Sequence, residues 1–148
     1  MLGFEALVRW RDPRGDQVPA DRVIHAIEQS PLLEEFTYHC LETVMGQFAR
    51  MQHDLAGAGI CINISARAIE LPGFVDSVVT CVERHGVDPA RVVLELTETT
   101  LITNPNQAKR VIEDLCRQGI ALSVDDFGAG FTSFGYLREF PVSEIKVD

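Results

Sequence analysis

Apolar positions along the chain follow two alternating rhythms. Short runs change face at every residue, and longer stretches repeat at three or four residues. Residues 3–10 read as a strand, closed by the turn-rich Arg11-Asp12-Pro13-Arg14-Gly15-Asp16. Asp21 is placed to cap a short helix carrying Val23, Ile24 and Ile27, which stops before Ser30-Pro31. Leu33, Phe36, Cys40, Val44, Phe48 and Met51 then form one apolar stripe on a long helix. Residues 60–64 make a compact strand, and a helix follows over 74–85, with Val75, Val78, Val79 and Val82 inward and Gly86 as its C-cap. Residues 92–97 form the next strand, and Asn104-Pro105 opens a helix whose buried face is Ala108, Val111, Ile112 and Leu115, ended by Gly119. A strand over 120–125, a loop at Gly128-Ala129-Gly130, a short helix over 133–140 and a strand over 144–148 complete the pattern. Strands separated by helices imply a parallel sheet with right-handed crossovers. A doubly wound sheet and a (βα) barrel both satisfy this order.

Strands of a parallel sheet are buried on both faces and should be apolar throughout. Here they are not. Alternation puts Glu5, Leu7 and Arg9 on one face, Asn63 with Cys61 and Ser65, Glu95 with Val93 and Thr97, and Lys146 with Glu144 and Asp148. Asp125 ends its predicted strand and Asp126 opens the following loop. Every strand thus delivers an ionisable or amide side chain near its C-terminal end, the face where α/β folds bind ligands. Glu5, Glu95, Asp125 and Asp126 repel one another if gathered without a counterion. With the amide oxygen of Asn63 they make an all-oxygen set suited to Mg²⁺ or Mn²⁺, and the adjacent Asp125-Asp126 suits two ions. Lys146 and Arg9 add positive charge for a phosphate oxygen.

Composition narrows the partners. The chain has 148 residues, enough for one domain and one core. Its 22 acidic and 13 basic residues leave a net charge of −9, which disfavours DNA or RNA polymers. A bound cation reconciles that charge with an anionic ligand. The longest run without a charged residue, 55–66, has 12 residues and is too short to span a bilayer. No signal peptide is visible, and the four cysteines lie far apart, with no Cys-x-x-Cys, as expected of buried free thiols in a reducing compartment. A cytoplasmic protein without membrane contact in this segment is expected.

The residues singled out form a recognisable series. Glu5-Ala6-Leu7-Val8-Arg9, Asn63-Ile64-Ser65, Glu95-Leu96-Thr97-Glu98, Asp125-Asp126-Phe127-Gly128-Ala129-Gly130 and Lys146-Val147-Asp148 resemble, in order and separation, the motifs of the EAL domain family of bacterial cyclic-di-GMP phosphodiesterases. The resemblance covers essentially the whole chain. It implies an α/β fold of the (βα)8 TIM-barrel-like EAL type and hydrolysis of cyclic-di-GMP to the linear dinucleotide with Mg²⁺ or Mn²⁺, two ions in the complete domain. It further implies that Glu5, Asn63, Glu95 and Asp125 are metal ligands and that Asp126 serves the second ion. Lys146 would contact the metal-bound water or scissile phosphate, and Arg9 a ligand phosphate. Glu98 would tether the loop after Asp125, which shapes the second metal site and a homodimer contact.

Two departures accompany the resemblance. Ala129 stands where the family more often has threonine. A closed barrel takes roughly 250 residues, so residues 1–148 are expected to be a partial domain, lacking the first strand and the C-terminal strands, from a longer multidomain signalling protein. An alternative is a non-catalytic EAL-like module that binds cyclic-di-GMP or a protein partner. A kinase is set aside because Asp126-Phe127-Gly128 has no His-Arg-Asp loop with it, and a Rossmann site because Gly128-x-Gly130 is followed by Ser133. Trp10, Phe127 and Phe131 are read as packing aromatics ahead of base-stacking ones, and Met45, Phe48 and Met51 as core.

Overall fold

The structure is a computed structural model that describes residues 3–55, 57–98, 101, 104–127 and 140–147, with the side chains of Asp126, Phe127 and Val147 outside the description. Five parallel strands, β1 (Gly3–Ala6), β4 (Gly59–Asn63), β5 (Val92–Thr97), β6 (Ala121–Phe127) and β7 (Glu144–Val147), pair in chain order. A doubly wound sheet reverses its strand order at a switch point. This sheet never reverses, so the winding is that of a barrel, with β1 and β7 left as its two edges. Crossovers of one hand put the helices on one face. Among the described residues these are α1 (Ala20–Glu28), α2 (Leu33–Met51), α3 (Phe74–Arg84) and α4 (Pro105–Arg117).

The core lies between that helical layer and the sheet. Leu94, Leu96, Leu122 and Val124 of the strands meet Leu41, Met45, Phe48, Val78, Val82, Ile112 and Leu115 of the helices, all buried. Both α3 and α4 end as their glycines predict. Gly86 and Gly119 take positive φ, Val87 N–H donates to Val82 O, and Ile120 N–H donates to Leu115 O, the wrap of a Schellman motif.

Four expectations need correction. The first strand stops at Ala6, and Trp10–Arg11 (β2) instead pairs antiparallel with Gln17–Val18 (β3), a ribbon whose turn is held by Asp12 Oδ1 accepting from Arg14 and Asp16 N–H. The apolar run 3–10 hid this break because strand and ribbon read alike. Pro19, not Asp21, occupies the N-cap of α1. On α2 the buried line is Leu33, Thr37, Leu41, Met45 and Phe48, whereas Phe36, Cys40 and Val44 are half-buried and Met51 is 48% exposed. Two adjacent apolar stripes exist on this helix, and packing chose the other. Finally, β6 runs on to Phe127, so Asp126 is strand rather than loop, across a register shift against β7 between Val124 and Phe127. The helix expected over 133–140 falls, but for Phe140, outside the described residues.

Arg91 joins the layers. Its guanidinium donates to the carbonyl oxygens of Ala58 (2.7 Å), Leu55 (2.9 Å) and Gln52 (3.2 Å) and lies 4.9 Å over the Phe48 ring. The α2–β4 connection therefore has its orphan carbonyls satisfied from a distant segment. Arg91→Ala is expected to lower stability by about 2–3 kcal/mol, read as a fall in urea midpoint at unchanged slope. Lysine should recover less than half, since a point charge cannot fork to three carbonyls.

Candidate active site

The parallel strands define one C-terminal rim, and register decides which side chains meet there. Glu5 stands level with Cys61, Asn63 and Ser123 each with Glu95, and Asp125 with Thr97. Residues in register share a face. Glu5, Cys61, Asn63, Glu95, Ser123 and Asp125 therefore face the side away from the helices.

Two contacts organise this face. Asn63 Nδ2 donates to Glu5 Oε1 at 2.8 Å, between half-open strands where both residues are exposed. Deeper in, Glu95 is 1% exposed, and Lys146 Nζ lies 2.5 Å from its Oε1 while Cys61 Sγ donates to its Oε2 at 2.9 Å. A buried carboxylate without partners would be strongly destabilising; here both oxygens are engaged. The Glu95 hydrogen bond, chiefly, raises the Lys146 ammonium above its ordinary value. Burial, then the adjacent Glu95, pushes the Cys61 thiol up to about 12, so it stays a neutral donor.

The remaining predicted residues are distributed as follows. Asp125 is half-buried on β6, on the same face as Glu95. Glu98 is buried at 4% exposure directly after β5. Arg9 is not on the strand. It is exposed beyond β1, its Nη1 donating to Val8 O at 3.0 Å, and it shares with Glu5 and Asn63 the wall of a groove of about 860 Å³ that runs on beneath α1 and α2. Trp10 is 48% exposed and lines the same groove, which corrects its reading as a packing aromatic. The side chain of Asp126, the loop at 128–130 and Phe131 lie outside the described residues.

Two participants were missed as such. Composition reads Cys61 only as one of four buried thiols, but it is half-buried, and its two-residue spacing from Asn63 puts it on the site face. Ser123, two before Asp125, carried the same signal. Its hydroxyl is buried with no hydrogen-bond partner among the described residues, level with Glu95.

The donor types on this face suit a hard divalent cation. Glu5, Asn63, Glu95 and Asp125 offer oxygen donors from four successive strands on one face, the donor type Mg²⁺ and Mn²⁺ take. Glu5, Glu95 and Asp125 do not all bring carboxylate oxygens within 4.8 Å of one another, the spacing expected of like charges. The orphaned Ser123 hydroxyl beside Glu95 marks polar capacity that a hydrated ion would use.

The family model described as EAL domain matches residues 1–148. The bifunctional diguanylate cyclase/cyclic di-GMP phosphodiesterase MucR of Pseudomonas aeruginosa is 33% identical over all of this chain, which corresponds to 22% of MucR. The cyclic di-GMP phosphodiesterase PdeL of Escherichia coli is also 33% identical over the full chain, here 41% of the relative. Among solved structures, the MucR phosphodiesterase in complex with c-di-GMP superposes with a TM-score of 0.92 at 32% identity, covering 100% of this chain and 60% of that one. The EAL enzyme Bd1971, bound to cAMP and cyclic-di-GMP, gives a TM-score of 0.89 at 27% identity over 97% of this chain and 40% of that one. The chain therefore spans less than half the length of these two curated relatives. No helix among the described residues is long and apolar enough to cross a membrane.

Proposed function

The chain belongs to the EAL domain family, and from that premise we propose that it carries the metal-ligand and phosphate-contacting half of a barrel that hydrolyses cyclic-di-GMP to the linear dinucleotide. The observation that carries this reading is the buried Glu95 carboxylate, held by Lys146 and Cys61 on the same strand face as Glu5, Asn63 and Asp125. The curated relatives MucR and PdeL bear the name of this activity.

In this reading Glu5, Asn63, Glu95 and Asp125 hold the ion, Mg²⁺ or Mn²⁺, with Asp126 serving a second. Such ions supply Lewis-acid stabilisation of phosphoryl oxygens and a nucleophile at neutral pH. The protein's own contribution is positional. Cys61 fixes the Glu95 carboxylate by donating to Oε2, while Lys146 pairs with Oε1, the oxygen a cation would have to share or take over. The Lys146 ammonium, 2.5 Å from that oxygen, is placed to neutralise charge developing on a phosphate non-bridging oxygen. Arg9, exposed at the groove, is free of any strand pairing and can reach a second phosphate. The groove wall at Trp10 offers an indole face to a purine. Glu98, buried after β5, would tether the segment following Asp125, where a homodimer contact is also proposed. A longer cytoplasmic signalling protein is the proposed setting.

The test measures linear dinucleotide release in Mn²⁺ by the full-length protein and by its Glu5→Ala variant. A loss of at least ~100-fold in the variant is expected. Equal rates in both would overturn the assignment. Tight cyclic-di-GMP binding with no turnover in the parent would establish the non-catalytic module instead.

A further inference from the structure

A second cluster of ligand-type side chains sits in the helical layer, on the far side of the sheet from Glu95. Cys81 in the last turn of α3 and His85, the C-cap four residues on, lie on one side of the helix end, and Glu42 of α2 faces them. His85 Nε2 lies 2.9 Å from Glu42 Oε2, and Arg84 Nη1 2.6 Å from Glu42 Oε1. Ligand atoms of Glu42, Cys81 and His85 all lie within 4.8 Å of one another, which no other trio of His, Cys, Asp or Glu achieves among the described residues.

Three further features bear on what this cluster can hold. Gly46 lies one turn beyond Glu42, and a Cβ there would come within 3.3 Å of His85 Cε1. The imidazole thus occupies space that α2 leaves open by lacking a side chain, at the cost of a glycine inside a helix. A pocket of about 370 Å³, walled by Tyr38, Glu42, Ser77, Cys81 and Arg84, gives the cluster a way in from solvent. Burial, then the Glu42 charge, pushes the Cys81 thiol up to about 12, and a coordinated cation reverses that balance by taking the thiolate.

The donor set is one sulfur, one imidazole nitrogen and one carboxylate oxygen. Mg²⁺ and Mn²⁺ favour all-oxygen sites, whereas Zn²⁺ takes mixed S/N/O ligands, commonly three from protein with a fourth position open. We propose that Glu42, Cys81 and His85 form a Zn²⁺ site that ties α2 to α3, with its open position toward the pocket. Zn²⁺ entry forms the Zn–S, Zn–N and Zn–O bonds. The thiol proton leaves to solvent, as does any proton on His85 Nε2, and Arg84 keeps its hold on the other Glu42 oxygen. Contraction to bond lengths of about 2.0–2.3 Å requires only side-chain rotation on two helices already packed together.

Co²⁺ and Zn²⁺ titrations of the protein in excess Mg²⁺ test this. One Co²⁺ per chain should give thiolate-to-cobalt charge-transfer absorption, and Zn²⁺ should displace it and raise Tm by several degrees. Cys81→Ser should abolish the band, and His85→Ala should weaken Zn²⁺ at least ~100-fold. Glu42→Gln, which preserves shape should the cysteine variant misfold, should do likewise. Gly46→Ala should weaken binding without removing a ligand. Cys61→Ser and Cys40→Ser should keep the band. Absence of the band in the parent, its survival in Cys81→Ser, or its loss in Cys61→Ser would overturn the site.

Discussion

Glu95→Gln is expected to cut cyclic-di-GMP hydrolysis by the full-length protein at least ~100-fold and to weaken Mn²⁺ activation, while Tm stays near the parent. The amide keeps the volume of a residue that is 1% exposed, so no cavity opens. It still accepts from the Cys61 thiol, which donates to Glu95 at 2.9 Å. What disappears is the negative charge. Lys146 is 39% exposed at its side chain and can turn its ammonium to water, so stability suffers little. An ion held partly by this carboxylate loses a charged ligand, and even outer-shell changes cost 10–100-fold in affinity or activity. Initial rates across a Mn²⁺ titration, with Tm measured alongside, decide the matter. A parental rate with parental Mn²⁺ dependence would reduce Glu95 to a structural ion-pair partner.

Phe48→Ala should be the most damaging core change, lowering stability by about 3–5 kcal/mol. That is a large share of the 5–15 kcal/mol typical of a domain. Phe48 is 1% exposed in the core shared by Met45 and the strand side chains, and Arg91 lies over its ring. Truncation opens a cavity under α2 and removes the surface on which the guanidinium rests. The double variant with Arg91→Ala should be less destabilised than the sum of the singles, by about 0.5–1 kcal/mol, the worth of a cation–π contact. Urea midpoints for the four proteins measure this. Strict additivity would show that the 4.9 Å approach contributes nothing beyond packing.

Much of the site was readable because side-chain alternation is a local rule. Spacing of two placed Glu95 with Thr97 and Asn63 with Cys61, and the strands paired in the register that puts those residues on one face. The same rule failed for Arg9. It assumes one continuous strand, and the chain leaves the sheet after Ala6 to form the β2–β3 ribbon. On α2 the helical period was right and the buried stripe wrong, because two apolar stripes one residue apart satisfy the same period.

Local period by itself determined the order of strands and helices and the side chains that travel together, since direction along a helix or strand depends only on backbone repeat. Tertiary structure alone decided that the sheet winds without reversal, that Glu95 loses its water while Glu5 and Asn63 keep theirs, and that Cys81 and His85 meet Glu42. Neighbourhood and burial depend on segments far apart in the chain, and no window of sequence contains them.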